Sequence, residues 1–244
     1  AGELAIVKLF QKLAKEAAAA GGAVHTLIGN HEMLNFRGKY KYVTAGGFAA
    51  FAGFAVGKPE SFWKSPGFVR VPAHQRGRAV AFAPGGAMAQ HYATQKVILK
   101  LGDLLFLHGG LRKSHVRYGL EKINRQTASY LRGERQLPQI MNGYTAPTWT
   151  RKWSRKVLWH ECEKLKKLLT MAKVKVMVVG HTVQYKGITS TCSGRVWRMD
   201  RARTKCVSPS VEKVVLGSVA VAAPVGPQQG ALGAHGHREA IPHG

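Results

Sequence analysis

The sequence predicts an α/β protein whose strands deliver polar residues at their C-terminal ends. Three stretches carry that reading. An amphipathic pattern over residues 3 to 20 runs into the short apolar strand "AVHTLIG"; "KVILKLGDLLFL" folds back on itself; and "VKVMVV" at 174 to 179 is the β-branched run of a strand buried on both faces.

The first element places Ile6, Leu9, Phe10, Leu13, Ala14 and Ala17 at three- and four-residue intervals, and Gly21 and Gly22 come next as a stop. Helix and strand together read as the second half of a β-α-β unit. Residues 33 to 92 have poor periodicity, with Pro59, Pro66, Pro72 and Pro84 as breakers, and predict loops with short helices. From Val97 to Leu107 apolar residues flank the tight turn "GD", which is a β-hairpin signal. Residues 114 to 132 predict a helix, 133 to 158 irregular chain, and "WHECEKLKKLLTMA" a further helix. "GITSTCSGRVWRMD" predicts two short strands about Ser193-Gly194. Residues 217 to 244, biased to Gly, Ala, Pro and His, predict a disordered low-complexity tail behind a folded unit spanning 1 to 216.

The chain has 244 residues, 45% of them hydrophobic, enough for one sizeable core. No run of about 18 apolar residues occurs, so no spanning helix is expected. The three cysteines, Cys162, Cys192 and Cys206, lie far apart without a C-x-x-C pair. That spacing argues against a disulfide framework and a structural zinc site, and points to an intracellular home, cytoplasmic or organellar. Against 12 acidic residues stand 37 basic ones, a net charge of +25. Such a charge implies an anionic partner or a strongly positive surface. The basic residues are scattered, as in "RKWSRK" at 151 to 156, and no nucleic-acid motif accompanies them. Nucleic acid would therefore be held by charge only.

"VHTLIGNHE", "LLFLHGG" and "VKVMVVGHT" are each an apolar strand that stops at a glycine beside a histidine: His31, His108 and His181. Strand ends of an open α/β sheet line one crevice, so the three imidazoles are expected to converge there. Imidazole nitrogen and the amide oxygen of Asn30 together suit Mn, Fe or Zn. Glu32 reads as a brace for its loop, Asp103 as a turn residue, and Asp200 as a strand-end carboxylate that could approach the site.

The blocks "GNHE", "LHGGL" and "VVGHT" resemble the later signature blocks of the calcineurin-like metallophosphoesterases, in particular the phosphoprotein phosphatase family. "YATQKVILKLGDLLFLHGGL", "TWTR" at 148 to 151 and "VVGHTVQ" with "GITSTCSGRVWRMD" are similar to its Shewanella-like protein phosphatase branch. The resemblance implies a central β-sandwich flanked by helices and a site for two divalent metal ions, Mn, Fe or Zn. It implies Asn30, His108 and His181 as metal ligands, His31 as the general acid, Arg151 as the holder of the substrate phosphate, and a phosphoprotein substrate hydrolysed by metal-bound hydroxide. The family's earlier blocks, G-D-x-H-G and G-D-x-x-D-R-G, are absent, and "AGELAIVKLF" resembles the family's segment directly C-terminal to the second of them. At most one partial metal site is then expected in this chain, which would be a fragment or inactive as given. A pseudophosphatase or basic binding module for phosphorylated or polyanionic partners is the alternative.

Overall fold

The computed structural model describes residues 2–200 and 221–224. Helix α1 (Glu3–Ala19) leads through Gly21, at φ +72°, into strand β1 (Gly22–His25). Next come α2 (Asn30–Phe36) and the short helices α3 (Ala45–Ala49), α4 (Glu60–Trp63), α5 (Arg76–Phe82) and α6 (Ala87–Tyr92). The hairpin is β2 (Ile98–Leu101) and β3 (Leu104–Leu107). After it stand α7 (Lys113–Tyr118), α8 (Leu120–Leu131) and α9 (Trp159–Met171), then β4 (Val176–Val179), β5 (Thr189–Thr191), β6 (Val196–Arg198) and β7 (Val221–Pro224).

Five strands form one sheet in the order β2-β3-β4-β6-β5, with β3, β4 and β6 parallel and the two outer strands antiparallel. The α/β fold class expected from the sequence is the fold observed. The predicted helix at 114 to 132 is broken into α7 and α8 at Gly119, whose φ of +100° no helix accommodates.

"AVHTLIG" is likewise two pieces. Its first half, β1, pairs antiparallel with β7, and Leu27 then makes a single parallel bridge to Lys96, ahead of β2. Strand β7 falls within the segment expected as a tail; the other residues of that segment lie outside the described residues, as does Cys206.

One face of the five-stranded sheet turns Ile98, Leu105, Leu107, Met177, Val179 and Val196 into the main core, under α6, α8 and α9. The other face carries Leu99, Leu101, Leu104, Phe106, Val178 and Trp197, with Leu27 packed against part of it. It is incompletely covered: Leu104 is 39% and Trp197 43% exposed. Strand β4, expected to be buried on both faces, buries Met177 and Val179 but leaves Val176 and Val178 half-buried.

The cysteine reading is corrected by the packing. Helix α9 lies beside the β5–β6 turn, so Cys162 and Cys192 come to a Cα separation of 5.2 Å and form a disulfide across 30 residues of sequence. Separation along the chain says nothing of separation in space, and the inference of compartment drawn from it loses its basis. Among the described residues no helix is long and apolar enough to cross a membrane.

Candidate active site

Parallel pairing of β3 with β4 aligns Leu107 with Val179, so the two strands end at the same level. Gly180 donates its N–H to the His108 carbonyl at 2.9 Å, and His181 comes next in the left-handed region at φ +62°. This places the two rings side by side, centroids 4.9 Å apart.

Asn30 enters from a different element. The chain after Leu27 is pinned by the Ile28 N–H to the Lys96 carbonyl at 2.9 Å, and α2 starts at Asn30 with Gly29 as its N-cap. Glu32 braces that start: its Oε2 accepts the Gly29 N–H at 2.9 Å. Burial pushes the Glu32 carboxyl up to about 7, against the lowering effect of the N–H groups of Glu32 and Gly29.

Three donor atoms therefore meet. Asn30 Oδ1 lies 2.6 Å from His108 Nε2 and 3.1 Å from His181 Nδ1, and the two ring nitrogens are 3.1 Å apart. One face of an octahedral ion with bonds of about 2.1 Å has donor separations of about 3.0 Å, so the triangle is of the right size and donor type for a divalent cation. All three donors are neutral. Among the described residues no group of three or more His, Cys, Asp or Glu side chains gathers as a metal site.

The segment that carries Arg151 is brought to the same place by a close backbone approach. Gly109 and Gly110 both donate to the Pro147 carbonyl, at 2.9 and 3.0 Å, and a Cβ on Gly109 would stand 2.6 Å from that oxygen. Glycine is required there, and the segment "PTWTR" can lie against the His108 loop because of it. Trp149 then presents its ring edge-on to His181, centroids 5.5 Å apart. Arg151 and Arg155 lie near enough to act on that ring: burial, first, and then Arg151, His31 and Arg155 lower His181 to about 4. The Trp149 carbonyl acts weakly in the other direction, yet His181 Nε2 makes no hydrogen bond of normal geometry.

His31 stacks flat on Tyr42, centroids 4.7 Å apart and planes within 5°, and burial lowers its pKa. Its backbone carbonyl accepts from Asn35 Nδ2 at 2.7 Å; Asn35 Oδ1 in turn accepts from Arg78 Nε at 2.6 Å. Arg78 is buried between the rings of Phe51 and Phe82 and grips the Glu3 carboxylate with two bonds of 2.8 and 3.0 Å. Tyr42 and Arg78 were not legible in the sequence, since both lie in the stretch without periodicity. Trp149 had a signal, its place two residues before Arg151.

Asp103 is a turn residue, as expected, with its carboxylate 2.7 Å from Lys175 Nζ at the surface. Asp200 is tied to the site's rim through its backbone, its carbonyl accepting the Gln184 N–H at 2.6 Å, while burial raises its carboxyl pKa.

No protein-family model matches the chain. Shewanella-like protein phosphatase 2 of Arabidopsis thaliana is 31% identical over 241 residues, covering 87% of this chain and 61% of that protein. Among solved structures, a mutant of a cold-active protein tyrosine phosphatase matches with a TM-score of 0.61 at 21% identity, covering 80% of this chain and 54% of that one. The cold-active protein-tyrosine phosphatase of a psychrophilic Shewanella species matches with 0.58 at 22%, covering 80% and 54%. The structural likeness shows the fold. This chain spans about three fifths of the length of the plant relative and about half of the solved structures it matches.

Proposed function

We propose that this chain is the C-terminal portion of a Shewanella-like protein phosphatase of the metallophosphoesterase kind, hydrolysing phosphomonoesters on protein side chains. The meeting of Asn30, His108 and His181 at one point carries the reading. The similarity to the plant phosphatase supports it. In this reading residues 1–216 belong to the phosphatase domain, and β7, from the segment beyond them, pairs with its strand β1. The apolar sheet face left open at Leu104 and Trp197 is what one layer of a sandwich looks like without the rest of its partner layer.

Asn30, His108 and His181 would hold one divalent ion, Mn, Fe or Zn. When bound it supplies Lewis acidity toward phosphoryl oxygen and acidifies water. Arg151 offers a planar fork that pairs with two phosphate oxygens and orients the ester. His31, steadied by the Tyr42 ring, would give its proton to the leaving oxygen as the ester bond breaks. That role needs a protonated ring. In this chain burial alone shifts His31, and downward, so the proton is poorly held until a carboxylate stands beside it. Three neutral ligands would also hold a dication weakly. Both points support a portion whose acidic half lies in other residues.

The test is turnover of p-nitrophenyl phosphate with Mn by the natural full-length protein, beside His31→Ala and Arg151→Ala. We expect metal-dependent turnover that either substitution lowers by roughly 100-fold or more. Full-length protein without metal-stimulated turnover would sink the reading.

The neutral donor set and the charge of +25 favour a second reading, a non-catalytic module that binds phosphorylated or polyanionic partners. Calorimetry with a phosphopeptide separates the two: affinity without turnover in the full-length protein selects this one.

A further inference from the structure

The turn from Arg151 to Lys156 sits at the edge of the candidate site and is built more firmly than a solvated loop needs to be. Trp153, buried to 2% exposure, donates Nε1–H to the Leu111 carbonyl at 2.7 Å. Ser154 Oγ lies 2.6 Å from Thr182 Oγ1, which ties the turn to the residue directly after His181. The Arg155 N–H closes on the Arg151 carbonyl at 3.3 Å.

Three of its carbonyls accept side-chain donors from other segments. Arg198 donates to the Trp153 oxygen at 3.0 Å and to the Arg155 oxygen at 2.7 Å, while Gln184 donates to the Ser154 oxygen at 3.3 Å. The carbonyls of Arg151, Trp153, Ser154 and Arg155 are thus all occupied, and a further cation, Arg198, lies beneath the turn. Arg155, Lys152 and Lys156 are exposed, and none of the ion pairs among the described residues includes them or Arg151. Four cations on a rigid turn, none in an ion pair among the described residues although Lys152 Nζ lies 5.0 Å from the Trp153 ring centroid, form a surface that a carboxylate-bearing ligand would complete.

We propose that this turn reads the substrate beside its phosphoryl group: with the phosphate at Arg151, the side chains of Arg155 and Lys156, with Lys152 at the rim, bind Asp or Glu residues flanking the phosphorylated residue. The proposal rests on the phosphatase reading of the same site and adds its substrate class, an acidic phosphopeptide. The Arg155 guanidinium, carried on a fixed backbone, loses little freedom on pairing with a carboxylate, and Lys156 and Lys152 add positive charge beside it.

The experiment measures binding of fluorescent peptides to the chain by anisotropy: a phosphopeptide with Glu at the flanking positions, the same peptide with Gln there, and the Glu peptide without phosphate. The double variant Arg155→Glu with Lys156→Glu is compared with Lys164→Glu with Lys167→Glu, an equal change of charge on exposed positions of α9. We expect the Glu phosphopeptide to bind roughly tenfold more tightly than the Gln one, the first variant to erase that ratio, and the second to keep it. Equal loss in both variants, or no Glu preference, overturns the proposal and leaves the phosphatase reading standing. No preference for phosphate in any peptide instead counts against the phosphatase reading. A short single-stranded oligonucleotide bound more tightly than the Glu phosphopeptide, with the same loss in the first variant, would overturn the peptide assignment.

Discussion

Asn30 Oδ1 lies 2.6 Å from His108 Nε2 although the two residues are 78 positions apart, one at the start of a helix and the other just past a strand. His181, a further 73 positions on, closes the triangle at 3.1 Å to each. Divalent ions should therefore stabilise this chain. We expect saturating Mn to add about 1–3 kcal/mol of unfolding free energy, reversed by chelator and lost in His108→Ala and Asn30→Ala. A thermal midpoint unmoved by Mn, Fe or Zn in the native chain would count against the partial metal site.

Arg78 should matter more than its distance from the chemistry implies. Its guanidinium joins Glu3 of α1 to Asn35 of α2, and Asn35 holds the His31 carbonyl. Arg78→Met leaves Asn35 Oδ1 and a carboxylate without their partner, at a cost of about 3–5 kcal/mol. Arg78→Lys keeps the charge but not the fork, and should cost less. Urea unfolding measures the stability, and hydrogen exchange should show α1 and the start of α2 losing protection first. Equal protection throughout would mean that Arg78 does not couple the two helices.

Gly109→Ala is a test of the close approach. The added methyl would stand 2.6 Å from the Pro147 oxygen, so one backbone segment must retreat. A cost of about 1–3 kcal/mol is expected, together with a loosened Trp149–His181 contact. Fluorescence of the tryptophans and denaturation midpoints report both.

His115 predicts a pH dependence. It is 1% exposed, its Nδ1 accepts the Arg112 N–H at 3.1 Å, and Nε2–H donates to the Thr145 carbonyl at 2.9 Å. Burial lowers its pKa from 6.5 to about 4, with a smaller lowering from Arg112 and an opposing effect of the Thr145 carbonyl. The unfolded chain takes up this proton as pH falls through 6.5, and the folded chain does not until about 4. The stability held by neutral His115 is thus whole above 6.5 and lost on acidification toward 4, at most roughly 3 kcal/mol. His115→Gln should flatten the stability curve in that window relative to the native chain; identical slopes in urea titrations would refute the assignment. His181, lowered likewise, and Glu32, raised, act in both proteins and cancel in the difference.

Local pattern carried much of the fold. The period of α1, the hairpin about Gly102-Asp103, helix α9 and the β5–β6 turn are set by residues close in sequence, and each stands where its pattern placed it. The ends of β3 and β4, each with a glycine and a histidine directly after it, were visible because a strand's termination is local chemistry, whereas the strand expected to end at Gly29 stops at His25. Beyond the reach of pattern were contacts between distant segments. The disulfide of Cys162 with Cys192, the flat stack of Tyr42 on His31 and the Arg78 network each join elements whose separation the chain does not encode locally.

The residue types available to the site, an amide, three imidazoles and a guanidinium, were determined by the sequence alone. Their assembly was decided by the parallel register of β3 with β4, which levels His108 with Gly180 and His181, and by two glycines that let Arg151 come near. The physical reason is range: side-chain periodicity reports the two faces of one element, whereas a binding site is a coincidence in space of several elements, fixed only when their cores have packed.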